Sequence, residues 1–236
     1  MTQPRLFIFP HAGGSAQYYV PFAKTFTIDV KRTAVQYPGQ RGKQDFASFT
    51  SLPALADEVV TMVSPEKDHG GPVFFFGHSM GGLLAFEVAR RFEEAGRPIS
   101  GLFVSAVAAP GHVGYEDIPD DDEGLLGAVS TMTGANPEFM KNPEFAAAIL
   151  PTLRGLKAIA SYSCPPEVRL SGPIHAYFGD DDEIATAAKV APWAERTRSE
   201  FTARELPGHH FYLNERLGDV VPDIEAKILA RTAGRA

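Results

Sequence analysis

Short, almost wholly apolar runs alternate along this chain with stretches whose apolar residues recur every three or four positions. Leu6–Phe9, Val73–Phe76, Gly101–Ala106 and Pro173–Phe178 are runs of the first kind, as expected for strands buried on both faces of a parallel sheet. Thr33–Val35 and Phe201–Leu206 read as further strands. Helical spacing fills much of the remainder. Ser51 caps a helix reaching about Val63, with Pro53 in its first turn and Leu55, Val59 and Met62 on one face. Leu83, Leu84, Phe86, Val88 and Ala89 mark a second helix, closed by Gly96 and Pro98. Thr186–Glu195 and about Leu217–Ala230 mark two more. Strand and helix in alternation predict crossover units around a mostly parallel sheet flanked by helices, an α/β fold.

The rhythm breaks between Gly111 and Leu170. No strand pattern appears there; Leu125, Leu126 and Val129 stand at helical spacing, followed by the turn Thr133–Pro137. Helical pieces follow at Pro143–Leu150 and roughly Leu153–Tyr162. The expectation is a helical insertion over 111–170, set into a single core built from 1–110 and 171–236. The acidic run Asp120–Glu123 suits a helix start, where carboxylates meet the positive end of the dipole. The apolar residues Leu125, Leu126, Val129, Met132, Phe139, Phe145, Ile149 and Leu150 are read first as packing residues of the insertion, and second as the lining of a pocket.

Composition narrows the function. At 236 residues, 44% hydrophobic and 22% charged, the chain can bury a full core. A net charge of −7 without a lysine or arginine cluster gives no support to nucleic-acid binding. The single Cys164 cannot form an internal disulfide, so a reducing cytoplasm is the expected location. The apolar start Leu6–Phe9, stopped by Pro10, is too short for a signal-peptide core, and no run reaches membrane-spanning length.

The chemistry centres on Gly77-His78-Ser79-Met80-Gly81, a G-x-S-x-G set between a buried strand and an amphipathic helix. Such a serine sits on a tight turn at the carboxyl end of a sheet, beside the free N–H groups of the helix start. A hydroxyl nucleophile needs a base and a carboxylate to orient it, which in this fold class follow in the order serine, acid, histidine. Asp180, Asp181 and Asp182 come just after one later strand, and His209 and His210 just after the next. Spacing selects none of the three aspartates and neither histidine. His78 is expected to point away from Ser79, His175 to lie within a strand, and His69 and His112 to be loop residues. Met80 offers one N–H to an oxyanion, and the loop Pro10-His11-Ala12-Gly13-Gly14 the other. A phosphate-cradling role for that loop lacks both G-x-G-x-x-G and a lysine–serine pair. Cys164 has no G-x-C-x-G context and reads as structural.

Several collinear motifs then add a resemblance. Phe9–Ser15 (FPHAGGS), Tyr37–Gln40 (YPGQ), Phe75–Gly82 (FFGHSMGG), Phe103–Ala106 (FVSA), Met132–Gly134 (MTG), Leu150–Arg154 (LPTLR), Tyr162–Glu167 (YSCPPE), GDDD at 179–182 and GHHFYLN at 208–214 span nearly the whole chain. Together they resemble the type II thioesterases, discrete α/β-hydrolases that serve polyketide and nonribosomal peptide synthases, and most closely their TesA-like actinobacterial branch. The resemblance implies Ser79 as nucleophile, Asp182 as acid and His210 as base, with Asp180 a supporting turn residue. It implies backbone oxyanion donors at Ala12 and Met80, and it makes the insertion a lid forming one wall of an acyl chamber. The implied reaction is hydrolysis of acyl groups from the phosphopantetheine thiol of carrier proteins, with no metal or cofactor. An esterase acting on small acyl esters and a non-catalytic partner of carrier domains are the alternatives. The chain departs from the family at Leu153-Arg154-Gly155-Leu156, where L-R-A-D is common, and at Gln40, where arginine often follows Pro-Gly.

Overall fold

Helices cover both faces of one sheet, which is why its middle strands contain so little polar side chain. The structure, a computed structural model, describes residues 2–12, 14–37, 51–63, 70–112, 121–133, 136–147, 149–150, 153 and 162–233. Within them lie β1 (Arg5–Phe9), β2 (Lys31–Ala34), β3 (Val73–His78), β4 (Gly101–Ser105), β5 (Ile174–Gly179) and β6 (Phe201–Leu206). Every pairing is parallel, in the spatial order β2-β1-β3-β4-β5-β6. β4 and β5 are buried at every position, whereas the edge strands β2 and β6 are largely open. Lys31, Arg32, Arg204 and Glu205 stand on those edges, where charge discourages pairing with another chain.

Alternation along each strand divides the core. Leu6, Ile8, Phe74 and Phe76 face α1 (Val20–Thr25) and the C-terminal helix, with Phe22 stacked on Phe76 at 4.5 Å. Phe7, Phe9 and Phe75 face α2 (Leu52–Val63) and α3 (Met80–Glu94). The expected serine cap of α2 is present, since Ser51 Oγ accepts the Ala54 N–H. Met62, expected on the inner face, is instead exposed, because Val63 lies four residues beyond Val59 and takes the buried position. The short 3-10 turn Ala16–Tyr19 and α1 are additions to the sequence expectation. Ser15 caps that turn by accepting the Tyr18 N–H.

The chain leaves β1 for β2 on one side and returns to β3 on the other. That reversal opens a crevice outside the carboxyl ends of β1 and β3, where ligands bind in open parallel sheets. Between β4 and β5 the described residues hold helix and no regular strand: α4 (Asp122–Thr133), α5 (Pro137–Met140) and helical residues 143–147. Leu125, Val129, Met140 and Leu153 form their own apolar cluster, joined by Leu126, Phe145, Ile149 and Leu150. These residues therefore pack against one another. Met132 and Phe139 fall outside the described side chains, as Asp120 and most of the expected helix Leu153–Tyr162 fall outside the described residues. Arg196 ties both ends of this segment to the core, donating to the carbonyls of Pro110 and Pro165.

After β5, the expected helix Thr186–Glu195 divides into α6 (Ala187–Val190) and a 3-10 stretch, Ala191–Arg196. Pro192 has no N–H to continue the α-helical ladder. α7 (Leu217–Ala233) closes the fold. No helix among the described residues is long and apolar enough to cross a membrane.

His175 lies within β5, as expected, bonded through Nδ1 to Thr202 Oγ1 at 2.8 Å and stacked on Phe103. Burial, aided by Lys227 and Arg231, lowers its pKa to about 4. The unfolded chain therefore takes up this proton first as pH falls. The associated stability is full above about pH 6.5 and is lost on the way down to about 4. His175→Gln is expected to flatten the urea-derived stability curve in that window by up to about 1.4 kcal/mol per pH unit. Parallel curves for parent and variant would contradict this.

Candidate active site

Ser79 occupies the one-residue link between β3 and α3 at φ 54° and ψ −129°, a left-handed conformation that a serine adopts only when the surroundings impose it. Its N–H donates to the Ser105 carbonyl at 2.8 Å and its carbonyl accepts the Gly82 N–H at 2.8 Å, so the strained turn is held from both sides. The flanking glycines are required by close approach. A Cβ at Gly77 would run into the Gly81 backbone, and one at Gly81 into the carbonyl oxygens of Phe9 and Pro10. Gly81→Ala is expected to cost about 3 kcal/mol or more of unfolding free energy, because both carbonyls are fixed backbone atoms, Phe9 within β1 and Pro10 just after it accepting the Tyr37 hydroxyl. Equilibrium denaturation measures this, and a loss below about 1 kcal/mol would contradict it.

The serine hydroxyl makes no helix cap and is available for chemistry. His210 Nε2 lies 2.9 Å from Ser79 Oγ, and His210 Nδ1 lies 2.8 Å from Asp182 Oδ2. A carboxylate only accepts, so Nδ1 carries the proton and Nε2 presents its lone pair to the serine O–H. All three side chains are nearly buried: Ser79 is 7% exposed, Asp182 4% and His210 3%. Asp182 Oδ1 also accepts the N–H groups of Ile184 and Ala185. Burial pushes its carboxyl up, but the His210 hydrogen bond and charge and those two amides outweigh it and hold the group below its ordinary range. The arrangement can abstract the serine proton and keep the resulting imidazolium oriented.

The neighbouring candidates separate by geometry. His209 and Asp181 pair with each other at 2.9 Å and are both exposed. Asp180 Oδ1 accepts the Gly208 N–H, which pins the acid loop to the histidine loop. Gly179 permits that contact, since a Cβ there would strike the Gly208 carbonyl. Met80 is the first residue of α3, so its N–H has no acceptor within the helix. Ala12 follows β1 in the loop where the Gly14 N–H bonds the His11 carbonyl. Gly13, Gln40, Arg41 and Arg154–Leu156 lie outside the described residues, as does His69; His112 is an exposed loop residue. A cavity of about 180 Å³ adjoins the site, lined by Asp182, His209 and His210 together with Thr131 of α4.

The thioesterase domain family matches residues 4–228. This chain belongs to the thioesterase family. The thioesterase is 53% identical over 229 residues to the thioesterase TesA of Mycobacterium leprae, covering 97% of this chain and 88% of that relative. Among solved structures it is similar to BorB, the type II thioesterase from the borrelidin biosynthetic cluster. That similarity has a TM-score of 0.79 and 34% identity over 96% of this chain and 93% of that one. It also matches YbtT, a type II thioesterase from the yersiniabactin NRPS/PKS biosynthetic pathway, with a TM-score of 0.82 and 25% identity over 98% and 94% of the two chains. The fold is that of an α/β-hydrolase.

Around the thioesterase's central serine lies a group of residues to which the sequence reading assigned no part. His78 does turn away from Ser79, toward β4, where Nδ1 lies 2.9 Å from Ser105 Oγ. Burial, with His210 and His11 nearby, lowers its pKa well below the ordinary imidazole value. The ring is therefore neutral beside His210, their centroids 5.6 Å apart. His11 bonds Tyr19 through Nδ1 at 2.8 Å and packs edge-on against Phe211. His11, His78, Ser105 and Phe211 sit inside FPHAGGS, FFGHSMGG, FVSA and GHHFYLN, so the motifs marked the region without distinguishing roles. Cys164 is half-buried; burial raises its thiol pKa, which disfavours the thiolate a nucleophile needs.

Proposed function

We propose that this thioesterase releases acyl groups from the phosphopantetheine thiol of carrier proteins in a polyketide or nonribosomal peptide synthase, through an acyl-serine intermediate. The observation that carries the chemistry is the continuous bonding of Ser79, His210 and Asp182 at 2.9 and 2.8 Å on a strained turn. The pathway context is supported by YbtT, which comes from an NRPS/PKS biosynthetic pathway, and by BorB, a type II thioesterase from a biosynthetic cluster.

In the reaction, His210 Nε2 takes the Ser79 proton as Oγ attacks the thioester carbonyl. The N–H groups of Ala12 and Met80 receive the developing oxyanion; where such donors have been removed elsewhere, each cost about 2.7–4 kcal/mol of barrier. The C–S bond breaks, and His210 returns the proton to the departing pantetheine thiol. Water then attacks the acyl-serine with His210 as base, which frees the carboxylic acid and restores Ser79. Asp182 holds the imidazole and stabilises its cation throughout. The insertion over 111–170, whose described residues include α4 and α5, acts as a lid, supported by the position of Thr131 on the cavity beside His210 and by an apolar cluster separate from the main core.

The deciding experiment offers the purified protein a panel of acyl-carrier proteins, acyl-pantetheine thioesters and the matching oxygen esters, while a fluorophosphonate probe labels the nucleophile. Modification at Ser79 and a kcat/KM highest on carrier-bound thioesters are expected. Preference for the oxygen esters would replace the reading with an esterase, and labelling elsewhere would remove Ser79 as nucleophile.

A further inference from the structure

The Ser79–His210 bond joins residues 131 positions apart, so something must hold the two loops in register while the bond is made and broken. Ser105, the last residue of β4, is placed to do this. Its carbonyl accepts the Ser79 N–H at 2.8 Å. Its hydroxyl lies 2.9 Å from His78 Nδ1, in the residue before the nucleophile, and 2.7 Å from Tyr212 Oη, two residues after the base. Ser105 has no exposed surface, and His78 and Tyr212 are buried with it. The end of the strand is itself held: Ala106 takes a positive φ of 50° and its N–H donates to the Tyr177 carbonyl.

Proton counting gives the bridge a direction. If Tyr212 donates to Ser105 Oγ and Ser105 donates to His78 Nδ1, the one group of this bridge left without a hydrogen-bond partner among the described residues is the Nε2–H of His78. Reversing the chain leaves both the Tyr212 proton and the Nε2 lone pair without partners. The first arrangement is preferred, because each unpaired buried polar group is costly.

We propose that Ser105 is a positioning residue of the hydrolase site: through its hydroxyl, Tyr212 and His78 it locks the nucleophile turn to the loop that carries the base. The proposal rests on Ser79 and His210 acting as nucleophile and base. A displacement of about 1 Å between reacting groups can cost on the order of a hundredfold in rate, so the bridge bears on turnover more than on binding.

Ser105→Ala, Tyr212→Phe and the double variant test it, with kcat expressed per site titrated by a fluorophosphonate so that any unfolded fraction is removed from the comparison. Each single change is expected to lower kcat about 10- to 100-fold while KM stays within about twofold. The two changes break one bridge, so the double variant is expected within about twofold of the worse single. A folded single variant with kcat within about twofold of the parent, or losses that multiply in the double variant, would overturn the bridge. If Ser105→Ala does not fold, Tyr212→Phe, which keeps the ring, decides by the same kcat and KM criterion. A parent whose Ser79 takes up no probe, or whose turnover survives Ser79→Ala, overturns the nucleophile reading and the bridge with it. Normal labelling with unaffected variants overturns the bridge alone.

Discussion

Ser79→Ala is expected to lower kcat on acyl thioesters by about 10⁴- to 10⁶-fold, with KM and the unfolding midpoint close to those of the parent. The hydroxyl is the group His210 Nε2 faces, and among the described residues no helix cap or second partner employs it, so its removal costs chemistry and little packing. A Cβ is still present, so the strained turn keeps its bonds to Ser105 and Gly82. A residual rate above the uncatalysed one is expected from backbone donors and substrate binding alone. Steady-state release of free thiol, followed with a thiol reagent, measures the loss. A variant retaining more than about a tenth of parent kcat would show that the acyl group does not pass through Ser79.

The second large effect concerns Asp182. Asp182→Asn is expected to lower kcat near neutral pH by about 10⁴-fold although the side chain keeps its shape. The carboxylate oxygen facing His210 only accepts and so keeps the proton on Nδ1; an amide N–H in that place would force the proton onto Nε2, the nitrogen that must accept from Ser79. The same substitution carries a stability signature. The native carboxyl of Asp182 is held below its ordinary range, so its ionised form stabilises the fold above the unfolded value of about 3.9. That contribution is lost as pH falls through the lower native value. Parent and Asp182→Asn stability curves should therefore differ near pH 7 and converge in acid. A gap in acid as large as the gap at pH 7 would contradict the linkage.

Much of the architecture was legible because its causes are local. Runs such as Val73–Phe76 leave a strand no polar face, and the glycines around Ser79 announce a turn that tolerates no side chains. Where the reading missed, the cause was a neighbour the pattern could not contain. Met62 lost the inner face of α2 to Val63, and Pro192 broke a helix that its flanking apolar residues had suggested as continuous. The turn and helix over Ala16–Thr25 rest on the Ser15 cap and on Phe22 packing against Phe76, a residue 54 positions away.

By itself the sequence determined the order of the six strands and the helices α2, α3 and α7 among them, the strand–serine–helix turn, the grouping of acids after one strand and histidines after the next, and the resemblance that singled out Asp182 and His210. Only the tertiary structure decided which of those groups meet. Asp181 and Asp182, like His209 and His210, are chemically identical neighbours, and folding sends one pair into solvent at 2.9 Å and the other against Ser79. It also joined Ser105 to Tyr212 across 107 positions. Composition and periodicity report what a residue prefers to be near, whereas a hydrogen bond depends on a distance that exists only once the sheet has brought distant segments to one edge.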